Sequence, residues 1–498
     1  MTIKIKSRIE ITTTQPSSKI RWAVFCVIAL LALAVRLPQL GERPMHTDEA
    51  VNAYITGELL AGESFHYDPQ DRHGPALFIL AKPVAQLCGA KNFSELTETQ
   101  LRLAPVIVGS AMILLFGAGV EWFGFIACLV AALLFAFAPL PLYYNRYFIH
   151  ESLFVAATLG LILSGRRMLK TNSFSSAALA GFCAALMLAC KETAVLHFLA
   201  LGLAATAGWR FRAAEKMPSA RTWLTAALTF LVAGTLLFTW GGQNWLALVD
   251  LFRAIPNFAA RAGGEGHEKP FWYYIRLLGD GWSGAVILGV AALGMVRACR
   301  SPRQMFLTSY ALLIAVIYSA IPYKTPWLAL NFWLPLAILA GFAIDWLWLA
   351  APKFSVRALI LAFTVALGIL IGHDTRQWVF RFPADEKNPY AYAHTGEDLS
   401  RLTARLEQLA RENRISNPRI AVVAADAWPL PWYLRKFSQV GYWQPGQETG
   451  GADFFITTTD VSGKLAEQLM SCRWEYFGSR PNVFLKLWSP QTNAPSHE

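Results

Sequence analysis

Met45-His46-Thr47-Asp48-Glu49-Ala50 places two adjacent carboxylates just after a hydrophobic run, Ile20 to Leu37, long enough to cross a bilayer as a helix. Carboxylates near lipid are costly to desolvate and usually face a site or a wet cavity. Held beside an acceptor hydroxyl, such a group can act as a general base. The same loop continues with two more charged clusters, Phe65-His66-Tyr67-Asp68-Pro69 and Asp71-Arg72-His73-Gly74-Pro75. A solvated loop would explain one acid pair equally well, so the weight falls on where the other polar residues at membrane depth lie.

The chain of 498 residues is 55% hydrophobic and only 15% charged, with a mean hydropathy of +0.36. A soluble protein of this length carries about a quarter charged residues. The composition therefore describes an α-helical polytopic membrane protein with room for one small extra domain. The first hydrophobic run lacks a small-residue cleavage site and is followed by Arg36 and Pro38, so it reads as a retained helix. The net charge of +11 is that of membrane-flanking Lys and Arg. No basic face suited to nucleic acid is evident. Seven scattered cysteines, most in apolar runs, show no metal or redox spacing.

In chain order, residues 1–19 read as a cytoplasmic tail and 20–374 as the membrane domain, with a long first outer loop at 38–101. Within that loop Gly74 to Ala90 is apolar but interrupted by Lys82 and Pro83, which suits an interfacial or re-entrant helix. Further apolar segments at 102–120, 122–142, 148–165, 175–190, 194–209, 222–240, 280–296, 304–321, 327–349 and 355–372 bring the expected spans to about eleven. The pair at 175–209 has the weakest signal, because each half is short. With the N-terminus inside, Arg166, Arg167 and Lys170, Arg210, Arg212, Lys216 and Arg221, Arg297, Arg300 and Arg303, and Lys353 and Arg357 all fall in inner loops. Only the turn near Glu121 lacks a basic residue. The same topology puts residues 375–498 on the extracytoplasmic side of a plasma (inner) membrane. There a helical pattern at 396–412, strands at Arg419 to Ala424 and Ala452 to Thr457, a helix at 461–470 and a strand pair at 473–488 predict a small α/β domain.

The polar residues at span ends then collect on the outer side. Tyr143-Tyr144-Asn145-Arg146-Tyr147 with His150-Glu151, Lys191-Glu192-Thr193 and Tyr323-Lys324-Thr325-Pro326-Trp327 occupy successive outer turns, and Arg253, Arg261, His267, Glu268 and Lys269 lie in the 241–279 loop. Inner loops hold only basic anchors and linker residues. Arg146 and Lys191 can also be read as snorkelling anchors, and Lys324 as a loop charge. The chemistry that fits the one-sided set is transfer from a lipid phosphate: Arg and Lys to hold the phosphate, and a carboxylate to activate an acceptor. His46, His66 and His73 with Asp48 or Asp68 could make a metal site, since imidazole and carboxylate suit zinc, but they match no standard metal-ligand spacing; no cofactor is expected, and a divalent metal, though chemically possible, is not indicated.

The order of these motifs resembles the C-type integral membrane glycosyltransferases, in particular family 39, the protein mannosyltransferase-like group. His46-Thr47-Asp48-Glu49-Ala50, Tyr67-Asp68-Pro69 with His73-Gly74-Pro75, the Tyr323–Trp327 turn and the late run Asp426-Ala427-Trp428-Pro429-Leu430-Pro431-Trp432-Tyr433-Leu434-Arg435 most resemble the flippase-activity-associated protein family of archaeal N-glycosylation. The resemblance implies an inverting enzyme with a polyprenyl- or dolichyl-phosphate sugar donor and a glycan, lipid or protein acceptor. It implies Asp48 as base or acceptor-orienting acid with Glu49 in support; Asp68, which the first loop can fold back over the same cavity, is the reserve candidate. Arg146, Lys191 and Lys324 are the implied phosphate ligands, with Arg72 and His73 of the first loop as further substrate-binding candidates. The alternative is a flippase-accessory or transporter protein for lipid-linked sugars. A transporter built on repeats would show an internal repeat, and none is clear.

Overall fold

A computed structural model describes residues 16–70, 73–209, 217–264, 266–296, 301–458 and 461–490. The first fifteen residues of the expected tail, together with Asp71, Arg72, Arg210, Arg212, Lys216, Arg297 and Arg300, lie outside the described residues.

Each of the expected spans coincides with a helix: Ser18–Arg36, Glu98–Phe123, Phe125–Phe137, Glu151–Thr171, Phe174–Cys190, Ala194–Trp209, Ala220–Phe238, Gly281–Val296, Pro302–Ala320, Ala329–Ala350 and Phe354–Thr375. Among the described residues 7 helices are long and apolar enough to cross a membrane, and further apolar helices are shorter. Lys191 to Thr193 breaks the weakly signalled pair at 175–209 into two helices, as expected. The segment predicted at 122–142 ends early, at Phe137, because Pro139 and Pro141 restart the chain as a short helix, Pro139–Tyr144. A proline is well placed in a first helical turn but cannot continue an existing helix.

Burial separates the centre of the bundle from its rim. In the stretch Pro326–Ala350, 94% of the apolar window is buried, against 6% in Phe354–Arg381. The Ala329–Ala350 helix is therefore the bundle's core, and the Phe354–Thr375 helix presents Leu359, Leu361, Val365 and Ile369 outward, as a helix facing lipid does.

The connections at one end of the bundle are long and knit together. They carry the Thr47–Leu60, Ala76–Leu87 and Ala247–Arg261 helices. Tyr67 donates to Glu192, His150 to the Gly74 carbonyl, Arg146 to the Pro38 carbonyl and Thr375 to the Phe137 carbonyl. Loops distant in sequence are thus fixed against one another by buried polar contacts.

Beyond a π-helical turn at Arg376–Arg381 the chain forms an α/β unit. Its strands are β1 (Arg419–Val423), β2 (Gln439–Trp443), β3 (Phe454–Thr458), β4 (Cys472–Arg480) and β5 (Val483–Pro490), in the order β2-β1-β3-β5-β4. β1 runs parallel to β2 and β3, whereas β5 is antiparallel to both β3 and β4. The Asp398–Glu412 helix buries Leu399, Leu402, Leu406 and Leu409 completely against the sheet, each worth about 1.5–3 kcal/mol. β2 is the strand the sequence did not announce. It is half-exposed at the sheet edge and contains Gly441, so no apolar alternation marks it.

The Asp426–Arg435 run docks this unit onto the first loop. Trp432 is fully buried and its indole donates to Glu98 at 2.8 Å; Arg435 donates twice to the Leu96 carbonyl, at 3.1 and 3.0 Å. The Tyr433 hydroxyl accepts the Met45 N–H at 3.0 Å, and Thr395 donates to the Met45 carbonyl at 2.7 Å. Both contacts hold the backbone at Met45, three residues before Asp48.

Candidate active site

The start of the Thr47–Leu60 helix sorts the two carboxylates. His46 is the N-cap, and its Nδ1 accepts the Asp48 N–H at 3.1 Å. Glu49 reaches back to accept the His46 N–H at 3.2 Å, completing a capping box. With Nδ1 accepting, the His46 proton sits on Nε2, which donates to the Tyr392 carbonyl at 3.0 Å. Burial favours this neutral ring by lowering its pKa.

Glu49 is fully buried and fully engaged. Arg102 donates to both of its oxygens at 2.8 Å, from Nε and Nη2; Arg43 donates at 3.2 Å and the Phe148 N–H at 2.9 Å. Burial alone would raise its pKa, but the two guanidinium groups and these hydrogen bonds hold it at about 2. No oxygen is left to face a substrate. Glu49 ties the first loop to the Glu98–Phe123 helix and the turn at Phe148, in place of the supporting catalytic role expected of it.

Asp48 points the other way. Its side chain is 45% exposed and lines a cavity of about 140 Å³ with His73, Lys191, Glu192, Arg261, Tyr318, Tyr323 and Trp327. It sits in the first turn of its helix, where the positive end of the dipole favours a carboxylate. Asp68 does not line this cavity, although Pro69 does; its Oδ1 caps a local turn by accepting the Gln70 N–H at 2.8 Å.

Of the three expected phosphate ligands Lys191 meets Asp48 here, together with the substrate-binding candidate His73. Lys191 stands at the break between the Phe174–Cys190 and Ala194–Trp209 helices, its buried amine paired with Glu151. His73 is held by Glu192, which accepts from its Nδ1 at 3.1 Å and from the Tyr67 hydroxyl at 2.7 Å. Burial opposes the charge on Glu192, yet His73 and Tyr67 keep its pKa down at about 2. The other two do not join them. Lys324 gives its amine to the backbone carbonyls of Lys269 and Ile321, bracing two loops while its neighbours Tyr323 and Thr325 line the cavity. Arg146 lines a separate cavity, donates to the Pro38 carbonyl at 2.7 Å and stacks on Phe380 at 4.7 Å. Arg72 lies outside the described residues.

The chain also places residues that the motif reading left out of the site. Arg261, on an amphipathic helix, adds a guanidinium to the cavity. Glu151 and Glu192 fix Lys191 and His73. Their signal was available: Glu151 is the single acid between Glu121 and Glu192, and a lone acid at membrane depth needs a partner.

Gly74 is the tightest point of the loop that carries His73. A Cβ there would lie 2.2 Å from the Ala189 carbonyl oxygen. Gly74→Ala is expected to push this loop, and His73 with it, off the Phe174–Cys190 helix, costing about 1–3 kcal/mol. Thermal unfolding tests this; an unshifted midpoint would refute it.

Residues 73–237 match the family described as dolichyl-phosphate-mannose-protein mannosyltransferase. No curated protein sequence matches the chain. Among solved structures, ArnT from Cupriavidus metallidurans bound to undecaprenyl phosphate is similar at 17% identity and a TM-score of 0.62, covering 95% of this chain and 98% of that one. Its apo form gives 18% identity and a TM-score of 0.61 over the same shares. The apo oligosaccharyltransferase of Archaeoglobus fulgidus is similar at 12% identity and a TM-score of 0.59, covering 97% and 76%. The membrane domain thus has the fold of the C-type membrane glycosyltransferases, with a small sheet domain after it.

Proposed function

We propose that this chain is an inverting glycosyltransferase that moves a sugar from a polyprenyl-phosphate donor to an acceptor at the outer face of the membrane. The observation that carries the reading is Asp48, a carboxylate facing a cavity that also receives Lys191, His73 and Arg261. The match of residues 73–237 to a lipid-phosphate-dependent sugar transferase family supports it. The similar ArnT structure holds undecaprenyl phosphate, the same class of lipid. The charge bias of the loops supports an extracytoplasmic side for the cavity and the C-terminal sheet domain.

In this reading Asp48 takes the proton of an acceptor hydroxyl as its oxygen attacks the anomeric carbon. The bond from that carbon to the phosphate oxygen breaks, and the configuration inverts. The leaving lipid phosphate gains negative charge, which Lys191, His73 and Arg261 stabilise. Glu151 and Glu192 set the directions of Lys191 and His73 rather than touching the sugar. Tyr323 and Trp327 supply flat walls for a sugar ring.

Reconstituted protein given a radiolabelled polyprenyl-phosphate hexose tests the reading. Sugar moved to an acceptor supports transfer. Donor moved across the bilayer without transfer would support the flippase-accessory alternative instead. Lys191→Gln keeps a hydrogen-bond donor toward Glu151 but loses the charge. A charge-assisted hydrogen bond contributes about 1.5–3 kcal/mol, so donor affinity is expected to fall roughly tenfold or more. Unchanged affinity would remove Lys191 from the phosphate site.

A further inference from the structure

The turn His46 to Glu49 has a second cavity behind it. Its volume is about 390 Å³, and it shares no lining residue with the Asp48 cavity. Arg43, Arg102 and Arg146 line its deep side. Glu49 is the buried carboxylate that answers them, and it bonds Arg102 and Arg43 but not Arg146. Three guanidinium groups against one carboxylate leave an excess of two positive charges around Glu49.

Arg146 is 6% exposed, and its Nη1 has no hydrogen-bond partner among the described residues. The same is true of Nε of Arg43. An unanswered buried guanidinium nitrogen is costly. Burial, with Arg43 and Arg102 close by, lowers the Arg146 pKa to about 9. The acids at this cavity, Glu42, Asp385 and Glu397, are exposed, so water screens them. Arg381 stands exposed among them. The wall carrying Phe380 and Arg381 is the π-helical turn Arg376–Arg381, an irregularity that recurs at functional sites.

We infer that this cavity is a second anion site, which takes the phosphate of a headgroup or phosphate ester on Arg146 and Arg43, on the opposite side of the His46–Glu49 turn from Asp48. Arginine is suited to this because its fork matches a phosphate oxygen pair. The inference does not rest on the sugar-transfer reading, since none of its lining residues belongs to the Asp48 cavity.

Full-length protein is titrated with inorganic phosphate in an uncharged detergent, and its thermal midpoint is followed. In parallel it is placed in nanodiscs of phosphatidylglycerol or of an uncharged galactolipid. A ligand that binds the folded state raises the midpoint. A saturable rise with inorganic phosphate alone identifies a free phosphate ester; a higher midpoint in phosphatidylglycerol identifies a lipid headgroup. Arg146→Gln is expected to weaken the response at least tenfold, while Lys191→Gln keeps it. Should Arg146→Gln fail to fold, Arg381→Gln at the exposed mouth is expected to weaken it about threefold. No saturable response in either arm overturns the inference. So does a response that Lys191→Gln abolishes, or one that the arginine variants leave unchanged.

Discussion

Asp48→Asn is expected to lower sugar transfer by about 10²–10⁴-fold, the usual contribution of a general base, with thermal stability and donor affinity nearly unchanged. The amide keeps the size of the side chain and its place in the first helical turn. What it loses is the basicity. Little structural cost follows, because the Asp48 carboxylate is 45% exposed and its nearest ring nitrogen, His46 Nδ1 at 3.9 Å, already accepts the Asp48 N–H. In the proposed mechanism donor affinity rests on Lys191, His73 and Arg261, which line the same cavity from other elements. Single-turnover transfer, measured beside donor binding, separates the two effects. An Asp48→Asn protein with wild-type turnover would sink the mechanism. Asp68 would then need testing, although its Oδ1 is tied to the Gln70 N–H.

The spans were legible because a helix crossing lipid must satisfy its backbone within itself and be apolar along its length. Hydropathy therefore reported the helices of the bundle segment by segment. The sheet domain was legible where strands were buried, in β1 and β3, and not at β2, whose exposed edge position needs no apolar pattern. The geometry of the candidate site was half legible. The charge bias of the loops gathers Asp48, Arg146, Lys191 and Lys324 at one end of the bundle. It says nothing of their azimuth around that end, which packing decides. Lys191 turns in toward Asp48, Arg146 turns to Phe380, and Lys324 is captured by two carbonyls. The division of labour within Asp48-Glu49 was not legible at all. Consecutive helical residues point in different directions, and which of the two turns inward depends on Arg102, 53 residues away.

Glu49→Gln is accordingly expected to act on the fold. Removing one partner of a buried ion pair costs about 3–5 kcal/mol, because the other charge stays buried and unanswered. Here two guanidinium groups, Arg102 and Arg43, lose their counter-charge together. The Phe148 N–H and the His46 N–H donate to different oxygens of the carboxylate, so the amide leaves an acceptor to only one of them. The sign of the pH dependence follows from the same contacts. The Glu49 carboxyl lies at about 2 in the folded protein, against an ordinary value of 4.5. Its contribution to stability is therefore complete above about pH 4.5 and is lost as the pH falls toward 2. Wild-type protein should lose stability across that window, and Glu49→Gln should lack this part of the loss while starting from a lower midpoint. Turnover per folded molecule should fall far less than in Asp48→Asn. Denaturant titration in detergent micelles at neutral pH, with activity normalised to the folded fraction, decides between the roles. A Glu49→Gln protein of wild-type stability that has lost turnover would return Glu49 to the catalytic machinery.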